Sequence, residues 1–270
     1  MVARILGISA LVLTLPVFVM GCNNDFLGLF ASTDFSRRWQ VRETFHLLSD
    51  DDRNLPLGAD GAYSFIVVTD THIRGDDGRG LDRLERVIDD DVKFVIILGD
   101  ITQTGSQTEI ERFIDIAGNF GVPVFPVIGN HDVFFGNWPA WEGLIGSTVY
   151  RVNIGDDALL VLDSANAFFG ARQLDWLENE LRDSRGRVFV FTHVSMFTRG
   201  TLHFDPRERA RVVSMLDGRV DAVFMGHSHL RHVVQVGGVH YVTLEDFKGN
   251  SAFLRVFVSR DDLRWEFGRL

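Results

Sequence analysis

From Ser64 onward the chain alternates between short apolar runs and amphipathic stretches. The apolar runs cover residues 65–68, 94–98, 122–128, 149–154, 159–162, 188–191, 220–225, 233–236, 239–244 and 253–258. They are rich in β-branched and aromatic residues, which predicts strands. Several of the early runs are apolar on both parities, as in strands covered on both faces. Helical spacing fills the gaps. Residues 81–88 form one such segment. Ser106 opens another with a capping box completed by Glu109, in which the two side chains satisfy free amides at the helix start. Residues 171–182 carry Leu174, Leu177 and Leu181 on one face. A fourth helix begins at Pro206 behind Asp205, a favoured order of cap and proline. Strand signals dominate toward the C-terminus, so the pattern predicts a mixed α/β fold. Upstream, Phe35, Trp39 and Leu48 fall at roughly helical spacing, and residues 49–61, rich in Asp, Asn, Pro and Gly, read as a loop.

The first residues follow a different pattern. MVARILGISALVLTLPVFVMGC places Arg4 ahead of an apolar stretch from Ile5 to Met20 that contains Pro16. The stretch is short for a membrane span, which needs about 20 apolar residues, and it reads as a secretory signal. Its end, Val19-Met20-Gly21-Cys22, resembles the lipobox of bacterial lipoproteins. In that family the cysteine receives a diacylglyceryl group and becomes the first residue after cleavage. Met20 departs from the small residue usual at its position, and a plain signal peptide with a chance cysteine is the alternative. The lipobox reading places the protein on the extracytoplasmic side of a bacterial membrane, periplasmic or cell-surface, held to the membrane surface through lipidated Cys22.

Composition narrows the choices. Of 270 residues, 46% are hydrophobic and 24% charged, enough apolar content for one large domain or two small ones. The formal net charge is −10 with no basic stripe, so capture of a nucleic-acid backbone is not expected. Cys22 is the single cysteine, which excludes an internal disulfide and any cysteine-rich zinc site.

Five of the apolar runs stop in the same way. They end at Asp70-Thr71-His72, Gly99-Asp100, Gly129-Asn130-His131-Asp132, Thr192-His193 and Gly226-His227-Ser228-His229. In open α/β sheets ligands bind beyond the carboxyl ends of the strands, so five such endings would converge. Glycine at 99, 129 and 226 is expected to let the backbone turn sharply there. The polar set offers mixed nitrogen and oxygen donors without thiolate, which suits Zn, Mn or Fe better than Ca or Mg.

The ordered set Asp70-x-His72, Gly99-Asp100 with Gly105, Gly129-Asn130-His131-Asp132, His193 and Gly226-His227-x-His229 resembles the motifs of calcineurin-like metallophosphoesterases. The resemblance implies a four-layer α/β/β/α sandwich of two mixed sheets. Together with the N-terminal signal and lipobox, it divides the chain into a signal peptide (1–21), a tether and lead-in (22–60) and a metallophosphoesterase domain (61–270). It also implies two metal ions, Mn, Fe or Zn: Asp70, His72 and His229 on one, Asn130, His193 and His227 on the other, with Asp100 bridging. A metal-bridging hydroxide would then attack the phosphorus of a small-molecule phosphate ester. The implied catalytic residues are His131, protonating the leaving oxygen, and Asp132, orienting His131 or a neighbouring backbone group.

Departures sort the branches. The stretch Gly99-Asp100-Ile101-Thr102-Gln103-Thr104-Gly105 lacks the second Asp and the Arg of protein serine/threonine phosphatases, and Gln103 stands where purple acid phosphatases carry a tyrosine. The Gly-Asn-His-Asp form is similar to small bacterial phosphodiesterases of the cyclic-nucleotide type. A phosphodiester substrate is therefore favoured. A phosphomonoesterase of the same fold and a catalytically silent metal-binding lipoprotein are the alternatives, and no protein partner is expected. Phe134, Phe135, Trp138 and Trp141 follow His131 closely, either as a wall that stacks on a base or aryl ester or as core packing of a short helix.

Overall fold

The structure, a computed structural model, describes residues 35–58, 61–198 and 202–270. The signal segment 1–21, the lipobox and Cys22 lie outside the described residues. In chain order the elements are α1 (Phe35–Arg38), β1 (Asn54–Leu55), β2 (Tyr63–Val68), β3 (Val92–Leu98), α2 (Gln107–Ala117), β4 (Val124–Val127), α3 (Trp138–Leu144), β5 (Tyr150–Ile154), β6 (Asp157–Val161), α4 (Gly170–Asp183) and β7 (Val188–Phe191). They continue with α5 (Pro206–Leu216), β8 (Ala222–Met225), β9 (His232–Val236), β10 (Val239–Thr243), α6 (Phe247–Asn250), β11 (Ala252–Val258) and β12 (Leu263–Arg269).

Two mixed sheets result. One has seven strands in the order β1-β5-β6-β7-β8-β10-β9, the other five in the order β12-β11-β2-β3-β4. In the five-stranded sheet β2, β3 and β4 run parallel, with β11 and β12 added antiparallel. In the seven-stranded sheet β6, β7, β8 and β10 run parallel.

The apolar runs explain the layers. Along β2, Phe65 and Val67 enter the core between the sheets, while Ile66 and Val68 face the opposite way. Both parities are fully buried because both faces are covered. The inter-sheet core stacks Phe65 on Phe94 at 4.8 Å and Phe191 on Phe224 at 5.3 Å. A second core packs α2 and α3 on the outer face of the five-stranded sheet, through Ile110, Phe113, Trp138 and Trp141. A third packs α4 and α5 on the outer face of the seven-stranded sheet, through Leu174, Leu177, Val212 and Leu216. The layers are therefore helix, sheet, sheet, helix, as the motif resemblance implied.

Local signals mostly held. The capping box at Ser106 and Glu109 is formed, and Asp205 caps α5 by accepting from the Arg207 and Glu208 amides. Residues 81–88 differ: Leu81–Val87 is a 3₁₀ helix. Its two buried residues, Leu81 and Leu84, are three apart, and a three-residue turn aligns them on one side. Strands β1 and β12 escape the apolar-run pattern. Strand β1 has two residues, and β12 carries arginine and glutamate between its half-buried Leu263, Trp265 and Phe267.

Candidate active site

Strands β2, β3 and β4 of one sheet and β7 and β8 of the other all end at one rim of the sandwich. Two hydrogen bonds stitch the sheets together there: His193 Nδ1 lies 2.7 Å from the Leu98 carbonyl, and the His227 amide donates to Asp70 Oδ2 at 2.9 Å. The seven donors expected from the strand endings are gathered at this rim. Asp70, His72 and His229 form one cluster, and Asp100, His193 and His227 another, each with ligand atoms within 4.8 Å of one another. Asn130 joins the second group, its Oδ1 3.2 Å from His193 Nε2. Asp100 faces both groups: its Oδ1 is 3.3 Å from His193 Nε2 and its Oδ2 3.7 Å from His72 Nε2.

The backbone carries these residues in an unusual state. Asp70, His72, Asp100, His227 and His229 all have positive φ, between 46° and 69°. Non-glycine residues rarely adopt that region, and each costs of order 1–3 kcal/mol. Five such residues at one rim mark a geometry held for what it binds. The glycines play a role other than the one expected for all three. Gly99 does take a positive φ of 77°, but Gly129 and Gly226 do not. A Cβ at Gly129 would collide with the Asp100 amide, and one at Gly226 with Thr69 Oγ1. These two positions are small because neighbouring loops approach closely.

The donor set fits metal ions. Both ring nitrogens of His72 and Nδ2 of Asn130 are buried without a hydrogen-bond partner among the described residues. Such atoms carry a full desolvation penalty unless something binds them. His72 Nε2 stands 3.7 Å from Asp70 Oδ1 and from Asp100 Oδ2, too far for hydrogen bonds. The Leu98 carbonyl can only accept, so His193 carries a proton on Nδ1 and turns Nε2 into the cluster, the orientation a metal-ligating imidazole needs.

Charge follows the same arrangement in the metal-free protein. Burial opposes the charge of Asp70, yet His229 and His72 hold its carboxyl well below the usual range. Burial likewise opposes the charge of Asp100, and His193, His131 and His72 outweigh it. Burial would lower His193, but Asp100 and then Asp70 lift it to about 9. Burial and the nearby His193 push His227 down to about 4. A bound cation would displace the proton that the Asp100 carboxylate stabilises on His193.

His131 and Asp132 take different places. His131 Nδ1 lies 2.8 Å from the Gln103 carbonyl, which fixes Nε2 toward the site, 3.9 Å from Asp100 Oδ2. Burial holds its pKa below the ordinary value, against the pull of Asp100. The Asp132 carboxylate is buried and accepts from the Gly129 and Thr102 amides at 2.8 Å, the Ile101 amide at 3.3 Å and Thr102 Oγ1 at 2.7 Å. It ties the loop after β3 to the loop after β4, and is a positioning residue for Asp100 and Asn130. Burial and the neighbouring Asp100 push its carboxyl up to about 6.

Some supporting residues gave no motif signal. Ser164 Oγ is 2.8 Å from Thr192 Oγ1 and accepts from the Val194 amide at 2.9 Å, gripping the chain on both sides of His193. Glu109, expected only as a cap, also accepts from the Thr104 amide and hydroxyl, at 3.0 and 2.8 Å. Of the four aromatics after His131, Trp138 and Trp141 belong to the core under α3, Phe134 is buried, and Phe135 is exposed.

Residues 63–231 match the model of the family described as calcineurin-like phosphoesterase. The chain is 25% identical over 197 residues to the "Probable cyclic nucleotide phosphodiesterase" of Fibrobacter succinogenes, covering 63% of this chain and 73% of that protein. A dimetal phosphatase from Danio rerio superposes with a TM-score of 0.59 at 17% identity, over 77% of this chain and 96% of that one. A purple acid phosphatase from yellow lupin seeds gives a TM-score of 0.65 at 13% identity, over 79% of this chain and about half (52%) of that one. At these identities the two structures share the fold with this chain.

Proposed function

The chain belongs to the calcineurin-like phosphoesterase family, and from that premise we propose that it hydrolyses phosphodiesters at a dinuclear metal site on the extracytoplasmic side of a membrane. The observation that carries the reading is the convergence of Asp70, His72, Asp100, Asn130, His193, His227 and His229, with both nitrogens of buried His72 unsatisfied among the described residues. Asp70, His72 and His229 would hold one ion, Asn130, His193 and His227 the other, and Asp100 both. Ions held by these residues would polarise a phosphoryl group and lower the pKa of bound water.

The protein's own groups supply the rest. His131, fixed by the Gln103 carbonyl, presents Nε2 to the leaving oxygen as the group that delivers its proton. Asp132 keeps the two loops that carry Asp100 and Asn130 in register. The diester preference rests on the relative named as a cyclic nucleotide phosphodiesterase and on Thr104 standing where a phosphoprotein phosphatase carries arginine.

The test is turnover of bis(4-nitrophenyl) phosphate by the full chain in detergent, loaded with Mn, Zn or Fe, beside 4-nitrophenyl phosphate. Diester cleavage abolished by chelation is the expected result; cleavage of the monoester alone would make the protein a phosphomonoesterase. His131→Asn should lower kcat by about 10²–10⁴-fold and leave the metal content measured by mass spectrometry unchanged. A variant that loses metal instead would assign His131 to the ligand set.

The extracytoplasmic assignment rests on the Val19–Cys22 motif. Cys22→Ser should move the protein from the membrane to the soluble extracytoplasmic fraction and stop incorporation of labelled fatty acid. Unchanged membrane association would replace the lipid anchor with an apolar one.

A further inference from the structure

Three of the strand endings meet over one buried hydroxyl. Thr69, between the end of β2 and Asp70, is fully buried. Its carbonyl accepts from the Phe247 amide at 2.8 Å, which fixes the backbone there. Its Oγ1 lies 2.7 Å from Asp70 Oδ2 and 3.0 Å from the Leu98 carbonyl at the end of β3. A Cβ at Gly226, just past β8, would come within 1.9 Å of the same oxygen. One side chain therefore touches the endings of β2, β3 and β8.

Hydrogen-bond accounting gives the hydroxyl a direction. It has one proton and two acceptors within reach. The Leu98 carbonyl is already served by His193 Nδ1 at 2.7 Å. A carboxylate is the stronger acceptor, and the distance to it is the shorter of the two. The proton therefore goes to Asp70. Oδ2 then accepts from two fixed donors, the Thr69 hydroxyl and the His227 amide at 2.9 Å. Two such bonds on one oxygen keep the carboxyl group from turning about its own axis. The other oxygen, Oδ1, is held toward His229 Nε2 at 3.0 Å and His72 Nε2 at 3.7 Å.

We infer that Thr69 is a positioning residue that aims Asp70 Oδ1 into the ligand group of His72 and His229. This deepens the dinuclear reading and rests on it. Without the hydroxyl, Oδ2 keeps only the His227 amide, and the carboxyl group is free to turn. The oxygen that faces the ligand group is then no longer preset, and partners that orient a ligand in this way govern its affinity. The threonine methyl group has no part in the effect, so substitution can separate shape from hydroxyl.

The experiment titrates Mn into the metal-stripped full chain in detergent by calorimetry, with Thr69→Val, Thr69→Ser and Thr69→Ala beside the parent. Thr69→Val keeps the shape and removes the hydroxyl. It should weaken one Mn equivalent by about 10–100-fold, the loss typical of a partner that orients a ligand, and change the other less. Thr69→Ser keeps the hydroxyl and should bind as the parent does. A packing role gives the opposite order, with valine like the parent and serine impaired, and would overturn the assignment. Valine also places a methyl group where Oγ1 meets Gly226, so Thr69→Ala controls for crowding. Alanine and serine both lack the threonine methyl group and differ only in the hydroxyl, so alanine should bind like valine. Equal affinities for alanine and serine would overturn the assignment as well. If the parent itself takes up fewer than two ions, the dinuclear reading fails, and that outcome is separate from a Thr69→Ala chain that binds two ions as the parent does.

Discussion

Replacing Asp100 with asparagine should lower metal-dependent phosphodiester turnover by about 10³-fold or more, about 4 kcal/mol of lost transition-state stabilisation. The substitution keeps the side-chain shape and can still accept the His131 amide, now 2.8 Å from Oδ1. It removes the one negative charge that faces both ligand groups. Asp100 is the residue that links them, through His193 on one side and His72 on the other. Metal titration should show the second equivalent weakened more than the first, since Asp70 still serves its own group. Folding should be little affected. In the metal-free protein the Asp100 charge lifts His193, and the amide variant should therefore show a His193 pKa below that of the parent by NMR titration. A variant that binds two ions as tightly as the parent and turns over at the parent's rate would remove Asp100 from the bridging role.

The convergent rim was legible because its chemistry is local. Each strand ending combines an apolar run with a metal-capable side chain within a few residues, and that pattern needs no long-range information. Helix caps were legible for the same reason: Ser106 with Glu109 and Asp205 with Pro206 act within one turn. Roles that depend on distant partners were not. Gly129 looks like any turn glycine until the Asp100 loop is seen lying against it. Ser164 reads as a loop serine, and only the parallel pairing of β6 with β7 brings it beside Thr192. The positive φ of five residues of the candidate ligand set also has no counterpart in sequence, since Asp and His there break the usual preference for glycine. The aromatic cluster after His131 split along burial, which composition alone cannot order. The lead-in is the clearest case. Its polar, proline-containing stretch reads as a loop, yet Asn54–Leu55 pairs with β5, and Phe45 bridges to Gly146.

That lead-in supplies the largest expected effect on stability. Arg38, on α1, is fully buried and bonds Asp163 through Nε at 2.6 Å and through a terminal nitrogen at 2.9 Å, with Asn166 Oδ1 at 2.7 Å from the same nitrogen. Asp163 is equally buried, and its backbone is held by Gln173. Removing one member of a buried pair leaves the other charge uncompensated, at a cost of about 3–5 kcal/mol. Arg38→Met keeps much of the volume and takes away the charge. It should lower the melting temperature by about 6–20 °C in a domain of this size. The damage should reach the site. Asp163 is followed by Ser164, which grips Thr192 and Val194 around His193, so metal affinity should fall even at temperatures where the variant is folded. Adding Asp163→Asn to Arg38→Met removes the stranded charge and should recover part of the stability, a coupling that a double-mutant cycle measures directly. Arg38→Met that melts within 2 °C of the parent, or a double variant with no recovery, would show that α1 rests on the domain without being tied to it. With the expected outcome, the segment between the proposed lipid anchor and the catalytic rim is part of the rim's support. Cutting it away to make a soluble enzyme would then cost both stability and metal, so a truncated form must begin before Phe35.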